Sequence, residues 1–113
     1  GGHIDPGESA PAALVREIRE ELGVKAKAGR FLGAIEHHFK QDGKPVAEVN
    51  FVFEYQVPAW KGCTAPDSCE DYIEFCWVPL NRLRAARLEP APLCRLLPRW
   101  LKTKSAAGWA STY

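Results

Sequence analysis

The stretch GGHIDPGESAPAALVREIREELGV (Gly1–Val24) decides the fold. Its first nine residues contain three glycines and one proline, a composition that permits a tight backbone path and the close approach of a ligand. Its second half places Glu17, Glu20 and Glu21 on what reads as one short helix. Three like charges so close together need a compensating partner, and the nature of that partner is the first clue to function.

The helix that carries these acids is marked at both ends. Pro11 suits the first turn of a helix, and Gly23 is a typical stop signal after the last turn. Ser9 or Ala10 suits the N-cap position. These signals predict a helix over residues 10–22.

A helical wheel separates an apolar face from an acidic one. At about 100° per residue, the three glutamates share an arc next to the arc that faces the core. The expected core-facing side chains are Leu14, Val15, Ile18 and Leu22. Arg16 and Arg19 point largely to the other side, although Arg16 can pair with Glu20, four residues further on.

A divalent cation compensates these acids better than the arginines do. Hard oxygen ligands that converge from one helix face suit Mg²⁺ or Mn²⁺, which bind carboxylates, water and substrate phosphates together. With the glycine-rich loop before it, the helix makes a platform for metal and phosphate. The alternative interpretation is a solvated face of Glu and Arg residues after a glycine-rich turn.

The spacing of the whole segment resembles the Nudix box of the MutT-like Nudix hydrolase superfamily. Gly2 is followed after five residues by Glu8, and after seven more by the run REIREELGV that begins at Arg16. The resemblance implies an α/β fold, namely an α/β/α sandwich with a mixed sheet. It also implies hydrolysis, dependent on Mg²⁺ or Mn²⁺, of a nucleoside diphosphate linked to a moiety X, such as an NTP, an oxidised NTP or a nucleotide sugar.

The resemblance assigns a role to each matching residue. The implied metal ligands are the backbone carbonyl of Gly2 and the carboxylates of Glu17, Glu20 and Glu21. The three glutamates are also the implied catalytic residues, one of which positions or deprotonates the attacking water. Glu8 matches the acid that pairs with Arg16, and this pair would brace the loop against the helix.

Other residues are weaker candidates for the site. A further acid beyond the box can serve as ligand or general base, and Glu48 is the preferred one because it begins the strand EVNFVFEY on its polar phase. The less favoured acids are Glu70, Asp71 and Glu74. The aromatic candidates for stacking on a nucleobase are Phe39, Tyr55, Trp60 and Trp77, for which a place in the core is the alternative.

The middle of the chain has the pattern of β-strands. Residues 30–39 are extended in pattern, Asp42 and Gly43 form a typical hairpin turn, and apolar residues then alternate with polar ones over 48–57. Residues 72–78 show the same alternation. We therefore predict a hairpin and one further strand.

In the sequence, a loop precedes the strand predicted over residues 72–78, and a short turn and a second helix follow it. Residues 58–71 predict a loop, and the run PLNRL (79–83) predicts a short turn or helix. Residues 90–101 have the apolar spacing of a helix that Pro98 breaks or kinks.

Length and composition fit one soluble domain. The chain has 113 residues, 46% hydrophobic and 26% charged, and we expect the domain over residues 1–102 and a loose C-terminal tail over 103–113. The net charge is +1 and the basic residues are spread along the chain, which argues against binding of duplex nucleic acid. Apolar stretches of strand length predict a protein with no membrane span, and we expect a cytoplasmic location.

The resemblance also sets expectations for partners and completeness. We expect a small-molecule nucleotide as substrate and a homodimer as the default assembly. In the fold of that superfamily strands precede the box, whereas this sequence starts on the box and contains no Met. We therefore expect the sequence to be an N-terminally truncated piece of a longer chain.

Two functions remain open at this point. The first is the metal-dependent pyrophosphohydrolase. The second is a non-catalytic nucleotide-binding or regulatory module of the same fold, or an inactive fragment. The three glutamates favour the enzyme, because a module released from catalysis does not need to keep them together.

Overall fold

The computed structural model describes residues 2–58, 60, 67–103 and 107–112. The elements in chain order are α1 (Ala10–Leu22), β1 (Lys27–Gln41), β2 (Lys44–Gln56), a 3₁₀ helix (Leu80–Arg82), α2 (Leu93–Lys102) and β3 (Gly108–Ser111). Within the described ranges, no helix combines the length and the apolarity needed to cross a bilayer.

The first helix begins and ends where its sequence signals lie. Ser9 is the N-cap, and its Oγ accepts a hydrogen bond from the backbone N–H of Ala12 at 3.3 Å. Gly23 follows the last turn with a φ of 67°, and its N–H donates to the carbonyl of Arg19 at 2.9 Å. This left-handed backbone favours glycine, so the predicted bounds of α1 are confirmed.

The predicted hairpin is formed by β1 and β2. Its turn residues, Asp42 and Gly43, have φ angles of 50° and 75°, the left-handed backbone that a type I′ turn requires. The turn makes these strands antiparallel, whereas β3 pairs with β1 in parallel, with Gly33 opposite Gly108. The strand order β2-β1-β3 is therefore that of a mixed sheet, and it confirms the predicted α/β class.

The chain divides into two compact units, and the first contains α1. This unit comprises Gly1–Arg30 and Phe53–Trp77. Its buried apolar side chains are Ala13, Ile18, Leu22 and Val57. Leu14 and Val15, which the helical wheel assigns to the core, are only half-buried, whereas the small Ala13 outside that face is buried because it needs little cover.

The second unit comprises Phe31–Val52 and Val78–Tyr113 and contains α2 and β3. Its buried apolar side chains are Leu32, Ala34, Ile35, Leu83, Leu93 and Leu96. Pro98 lies inside α2, which continues to Lys102, so this proline does not end the helix.

Two of the predicted secondary-structure assignments are wrong. Residues 72–78 belong to no strand, because a period-two pattern supplies two side-chain faces but not the backbone partner that a strand needs. In the expected loose tail, Gly108–Ser111 forms β3 because it finds that partner in β1. The expected loop over 58–71 lies partly outside the described residues, and its described residues form no helix or strand.

Candidate active site

The loop before α1 is closed by its own hydrogen bonds. The backbone N–H of Asp5 donates to Oε1 of Glu8 at 2.9 Å, and the N–H of Glu8 donates to the carbonyl of Asp5 at 3.2 Å. Gly7 lies in this turn with a φ of 87°, a backbone that glycine adopts without strain. The loop thereby carries the carboxylate of Glu8 to the side of α1.

Arg16 joins this loop to the helix. Its Nη2 donates to Oε1 of Glu8 at 2.6 Å and to the carbonyl of His3 at 3.0 Å, while its Nε donates to Oε2 of Glu8 at 3.1 Å. This two-point contact is the main reason why the pKa of Glu8 lies below its ordinary value, and the N–H of Asp5 is the second. The same contact raises the pKa of Arg16. The pairing that the resemblance implies is therefore present.

The other end of the Arg16 guanidinium reaches two of the three acids on α1. Its Nη1 donates to Oε1 of Glu17 at 3.0 Å and to Oε2 of Glu20 at 3.3 Å. The predicted pairing of Arg16 with Glu20 is confirmed. The helical wheel, which points Arg16 largely to the other side, misses the contact with Glu17 because the long arginine side chain bends toward the charges. One cation thus offsets the repulsion between Glu17 and Glu20.

The backbone of Gly2 lies against the carboxylate of Glu17. A methyl group placed on Gly2 would overlap the carboxylate carbon and both oxygens of Glu17, so a glycine leaves the room that this approach needs. The Glu17 side chain is 18% exposed and that of Glu20 is 54% exposed. Glu17 is therefore the inner carboxylate of the pair, and Glu20 is the outer one.

Glu21 is fixed through its backbone. Its carbonyl accepts a hydrogen bond from the N–H of Cys69 at 2.6 Å. Sequence reasoning missed this contact, because a backbone hydrogen bond between distant segments has no residue signature. The charge of Glu21 also contributes, after burial, to raising the pKa of Tyr55, so the carboxylate of Glu21 acts on the end of β2.

The residues at this helix edge fit a magnesium or manganese ion by their donor chemistry. Among the described residues, no group of three or more His, Cys, Asp and Glu side chains stands ready to hold an ion. Mg²⁺, however, commonly binds through one or two carboxylates and takes its other ligands from water and substrate phosphates. The carboxylates of Glu17 and Glu20 provide oxygen donors of that kind, and the backbone of Gly2 lies beside Glu17.

The further acid predicted from the sequence lies on β2. Glu48 is exposed in the second unit, and its Oε1 accepts a hydrogen bond from Nδ2 of Asn50 at 3.0 Å. Its use as an additional ligand or base stays a prediction.

Comparison with known proteins agrees with the resemblance seen in the first helix. The family model described as the NUDIX domain matches residues 1–98 of this chain. The match therefore extends well beyond the loop and α1 and includes both strands of the hairpin.

Similar curated proteins cover parts of the same region. The putative mutator protein MutT4 of Mycobacterium tuberculosis (strain CDC 1551 / Oshkosh) is 30% identical over 82 residues, which are 73% of this chain and 32% of that protein. The CTP pyrophosphohydrolase of Escherichia coli (strain K12) is 50% identical over 34 residues, 30% of this chain and 25% of that protein. The diphosphoinositol polyphosphate phosphohydrolase 3-alpha of Homo sapiens is 50% identical over 44 residues, 39% of this chain and 26% of that protein. This chain thus spans a third or less of the length of these relatives.

Proposed function

Because this chain belongs to the Nudix family, we propose that it catalyses the divalent-metal-dependent hydrolysis of a pyrophosphate linkage in a nucleoside diphosphate linked to a moiety X. The observation that carries the proposal is the acidic edge of α1, where Glu17 and Glu20 share one arginine nitrogen and the backbone of Gly2 lies against Glu17. Two relatives support the chemistry by their names, which describe a pyrophosphohydrolase and a phosphohydrolase.

The residues proposed to hold Mg²⁺ or Mn²⁺ are Gly2, Glu17, Glu20 and Glu21. Such an ion, when bound, neutralises charge on the phosphoryl oxygens and lowers the pKa of a bound water. A pyrophosphate is itself strongly anionic, so these carboxylates alone would repel it. These carboxylates can therefore help to bind the substrate only when a cation lies between them and the phosphates.

The other residues of the edge are proposed to act by position. Glu8 holds two nitrogens of Arg16, so the guanidinium keeps its place even when its third nitrogen releases Glu17 and Glu20 to another cation. One of the three glutamates positions or deprotonates the attacking water, and Glu48 is the further candidate for a base.

We also propose the remaining expectations from the sequence. They are a catalytic domain over residues 1–102, a small-molecule nucleotide as substrate, a homodimer, a cytoplasmic location and no binding of duplex nucleic acid. None of them changes the chemistry proposed for α1.

The experiment is phosphate release from a panel of NTPs, oxidised NTPs, nucleotide sugars and inositol pyrophosphates, in Mg²⁺ and in EDTA. We expect release in Mg²⁺ only. Glu21→Gln should lower the rate by about 100-fold or more, because loss of a ligand costs more than the 10- to 100-fold typical of its outer-shell partners. The matched control is Glu54→Gln, which removes a carboxylate of the same unit that pairs with Arg30 at 3.6 Å.

Two outcomes would contradict the proposal. Release that persists in EDTA would remove the role of the metal. Binding of these compounds without any release would favour the non-catalytic nucleotide-binding module instead.

A further inference from the structure

Acidic residues are distributed unevenly along the chain. After Trp77 the sequence contains seven Lys and Arg residues and a single acid, Glu89, whereas the residues up to Trp77 contain eight Lys and Arg residues and thirteen acids. The basic residues are thus spread along the chain and the acids are not. The net charge of +1 therefore combines an acidic part with a strongly basic C-terminal part.

Six of these cations lie on two elements that contact each other in the second unit. The elements are the 3₁₀ helix, with the turn that follows it, and α2. All six cationic residues are exposed, and they are Arg82, Arg84, Arg87, Arg95, Arg99 and Lys102. We call these six residues the basic surface.

On α2 the basic residues form a stripe along one side of the helix. Arg95, Arg99 and Lys102 follow one another after four and three residues, so at about 100° per residue they fall within an arc of about 60°. The buried Leu93 and Leu96 lie outside this arc. The packing of the leucines therefore fixes the stripe on the outer side of α2.

The turn before α2 is oriented in the same way by one buried side chain. Leu83 is 8% exposed, whereas its neighbours Arg82 and Arg84 are exposed. The carbonyl of Leu83 accepts a hydrogen bond from the N–H of Leu88 at 3.1 Å, and the carbonyl of Arg84 accepts one from the N–H of Arg87 at 3.0 Å. These bonds close the turn and hold its three arginines in one short segment.

The basic surface is not neutralised by acids of its own. Within the part of the chain that the structure describes, none of its six side chains pairs with a carboxylate, whereas Arg16 and Arg30 both do. The carboxylate of Glu89 accepts a hydrogen bond from the N–H of Ala91 at 2.9 Å. Since neighbouring like charges repel, a surface of this kind is complementary to an anionic one.

We infer that the basic surface binds the anionic headgroups of a lipid bilayer and so attaches the chain reversibly to a membrane surface. Arginine binds phosphate oxygens through two nitrogens at once. Each Lys or Arg close to an anionic bilayer adds an attraction that salt weakens. The inference goes beyond the proposed function, because the basic surface contains none of the residues proposed to bind metal or substrate.

A lipid surface fits the basic surface better than a nucleic acid does. Proteins that bind single-stranded nucleic acid combine basic residues with aromatic rings on which the bases stack. The one ring on the two helices is that of Trp100, and it packs against Gly108, where a Cβ would overlap the indole. Leu80, in contrast, begins the 3₁₀ helix that also contains Arg82, and it is 49% exposed. The headgroup region of a bilayer accepts both charged and apolar side chains.

The test is cosedimentation of the 113-residue chain with lipid vesicles. One set of vesicles is phosphatidylcholine alone, and the other contains about 30% phosphatidylserine, an anionic lipid. The buffer contains EDTA, so that no metal ion can join the acids of α1 to the headgroups. We expect binding to the anionic vesicles only, in about 0.1 M NaCl, and its loss in about 1 M NaCl.

Paired substitutions locate the binding on α2. Arg95→Gln with Arg99→Gln should weaken vesicle binding by about 25-fold, because each basic residue contributes about fivefold, the equivalent of about 1 kcal/mol. Arg95→Lys with Arg99→Lys keeps both charges and should retain most of the binding. The matched control is Lys40→Gln with Lys44→Gln, which removes two exposed cations of the hairpin and should change binding little. Circular dichroism confirms that each variant is folded.

Three outcomes would overturn the inference. The first is equal sedimentation with neutral and anionic vesicles. The second is an equal loss of binding in the two Gln pairs, which would mean that net charge and not the basic surface acts. The third is tighter binding of an oligouridine of about 20 nucleotides than of anionic vesicles, which would assign the basic surface to nucleic acid.

Phosphate release separates this inference from the proposed function. The chain with Arg95→Gln and Arg99→Gln should hydrolyse the substrate panel in Mg²⁺ at the rate of the unchanged chain. If vesicle binding depends on the basic surface but nothing is hydrolysed, the inference stands and the proposed function fails. If hydrolysis is observed without vesicle binding, the proposed function stands and the inference fails.

Discussion

Different forces join the first and second helices to their neighbouring segments. On α1, one guanidinium binds Glu8, Glu17 and Glu20, and these contacts lie at a partly exposed edge. On α2, Leu93 and Leu96 are buried, and the indole of Trp100 packs against a glycine of β3. Charge therefore joins the loop to α1, although Ala13, Ile18 and Leu22 also pack α1 into its unit, whereas close packing joins α2 to β3.

This difference indicates where a ligand can act. A partly exposed carboxylate can exchange an arginine for a metal ion with little loss, because both partners are cations and both states are solvated. A packed ring cannot change partners without leaving a cavity or a clash. The acidic edge of α1 is therefore better suited to exchanging ligands, and the packing of α2 against β3 is better suited to stability.

The largest effect on stability is expected where β1, β3 and α2 pack together. A Cβ on Gly33 would lie 2.7 Å from the carbonyl oxygen of Gly108 and 3.0 Å from the ring of Trp100. Because backbone atoms cannot move aside cheaply, Gly33→Ala should lower the free energy of unfolding by about 1–3 kcal/mol, measured by urea unfolding. An unchanged midpoint would show that β1 and β3 are not in close contact.

A double substitution separates a clash with the ring of Trp100 from a clash with backbone atoms. A Cβ on Gly108 would overlap the indole of Trp100, whose atoms are the nearest to it. Trp100→Phe supplies a smaller ring, so it should reduce the cost of Gly108→Ala. The cost of Gly33→Ala should persist in the same background, since its nearest neighbour is backbone.

The elements that the sequence predicts well are those with local causes. The bounds of α1 follow from Pro11 and Gly23, and the hairpin turn follows from the residues that tolerate left-handed backbone. The pairing of Glu8 with Arg16 is equally local, because the two residues lie on one turn and the helix that follows it. These features need no knowledge of distant partners.

The features that the sequence misses depend on distant partners. β3 exists because Gly108–Ser111 meets β1, and residues 72–78 form no strand although their alternation is the stronger signal. At the candidate site, the wheel places Arg16 by its Cα direction, but a long side chain goes where the charges are. The contact of Cys69 with Glu21 is backbone to backbone and leaves no residue signal.

A smaller effect is expected at the start of α1. The Oγ of Ser9 accepts from the N–H of Ala12, one of the amides that a helix leaves without a partner. Ser9→Ala should lower the free energy of unfolding by about 1 kcal/mol in urea unfolding, and Ser9→Asp, which keeps an oxygen acceptor, should restore it. Equal stability of all three chains would mean that Ser9 does not cap the helix.

The smallest effect is expected for the charge pair that braces the loop, and it is the one that depends on pH. Arg16 lowers the pKa of Glu8 below its ordinary 4.5, so the folded chain favours the ionised carboxylate. A lowered pKa in the folded state adds stability above the ordinary value, and this stability is lost as the pH falls through the lowered pKa. Glu8→Gln should therefore unfold more easily than the unchanged chain at pH 7, and the difference should vanish in acid.

Salt tests whether charge joins the loop to α1. The difference in the free energy of unfolding between Glu8→Gln and the unchanged chain should shrink in about 1 M NaCl, because salt shortens the range of charge interactions. The cost of Gly33→Ala should not change with salt. Glu54→Gln, which breaks the 3.6 Å pair with Arg30, is the control for an ordinary surface ion pair and should change stability less. A Glu8→Gln difference that persists in both acid and salt would mean that shape and not charge fastens the loop to α1, because an amide keeps the shape of the carboxylate but not its charge.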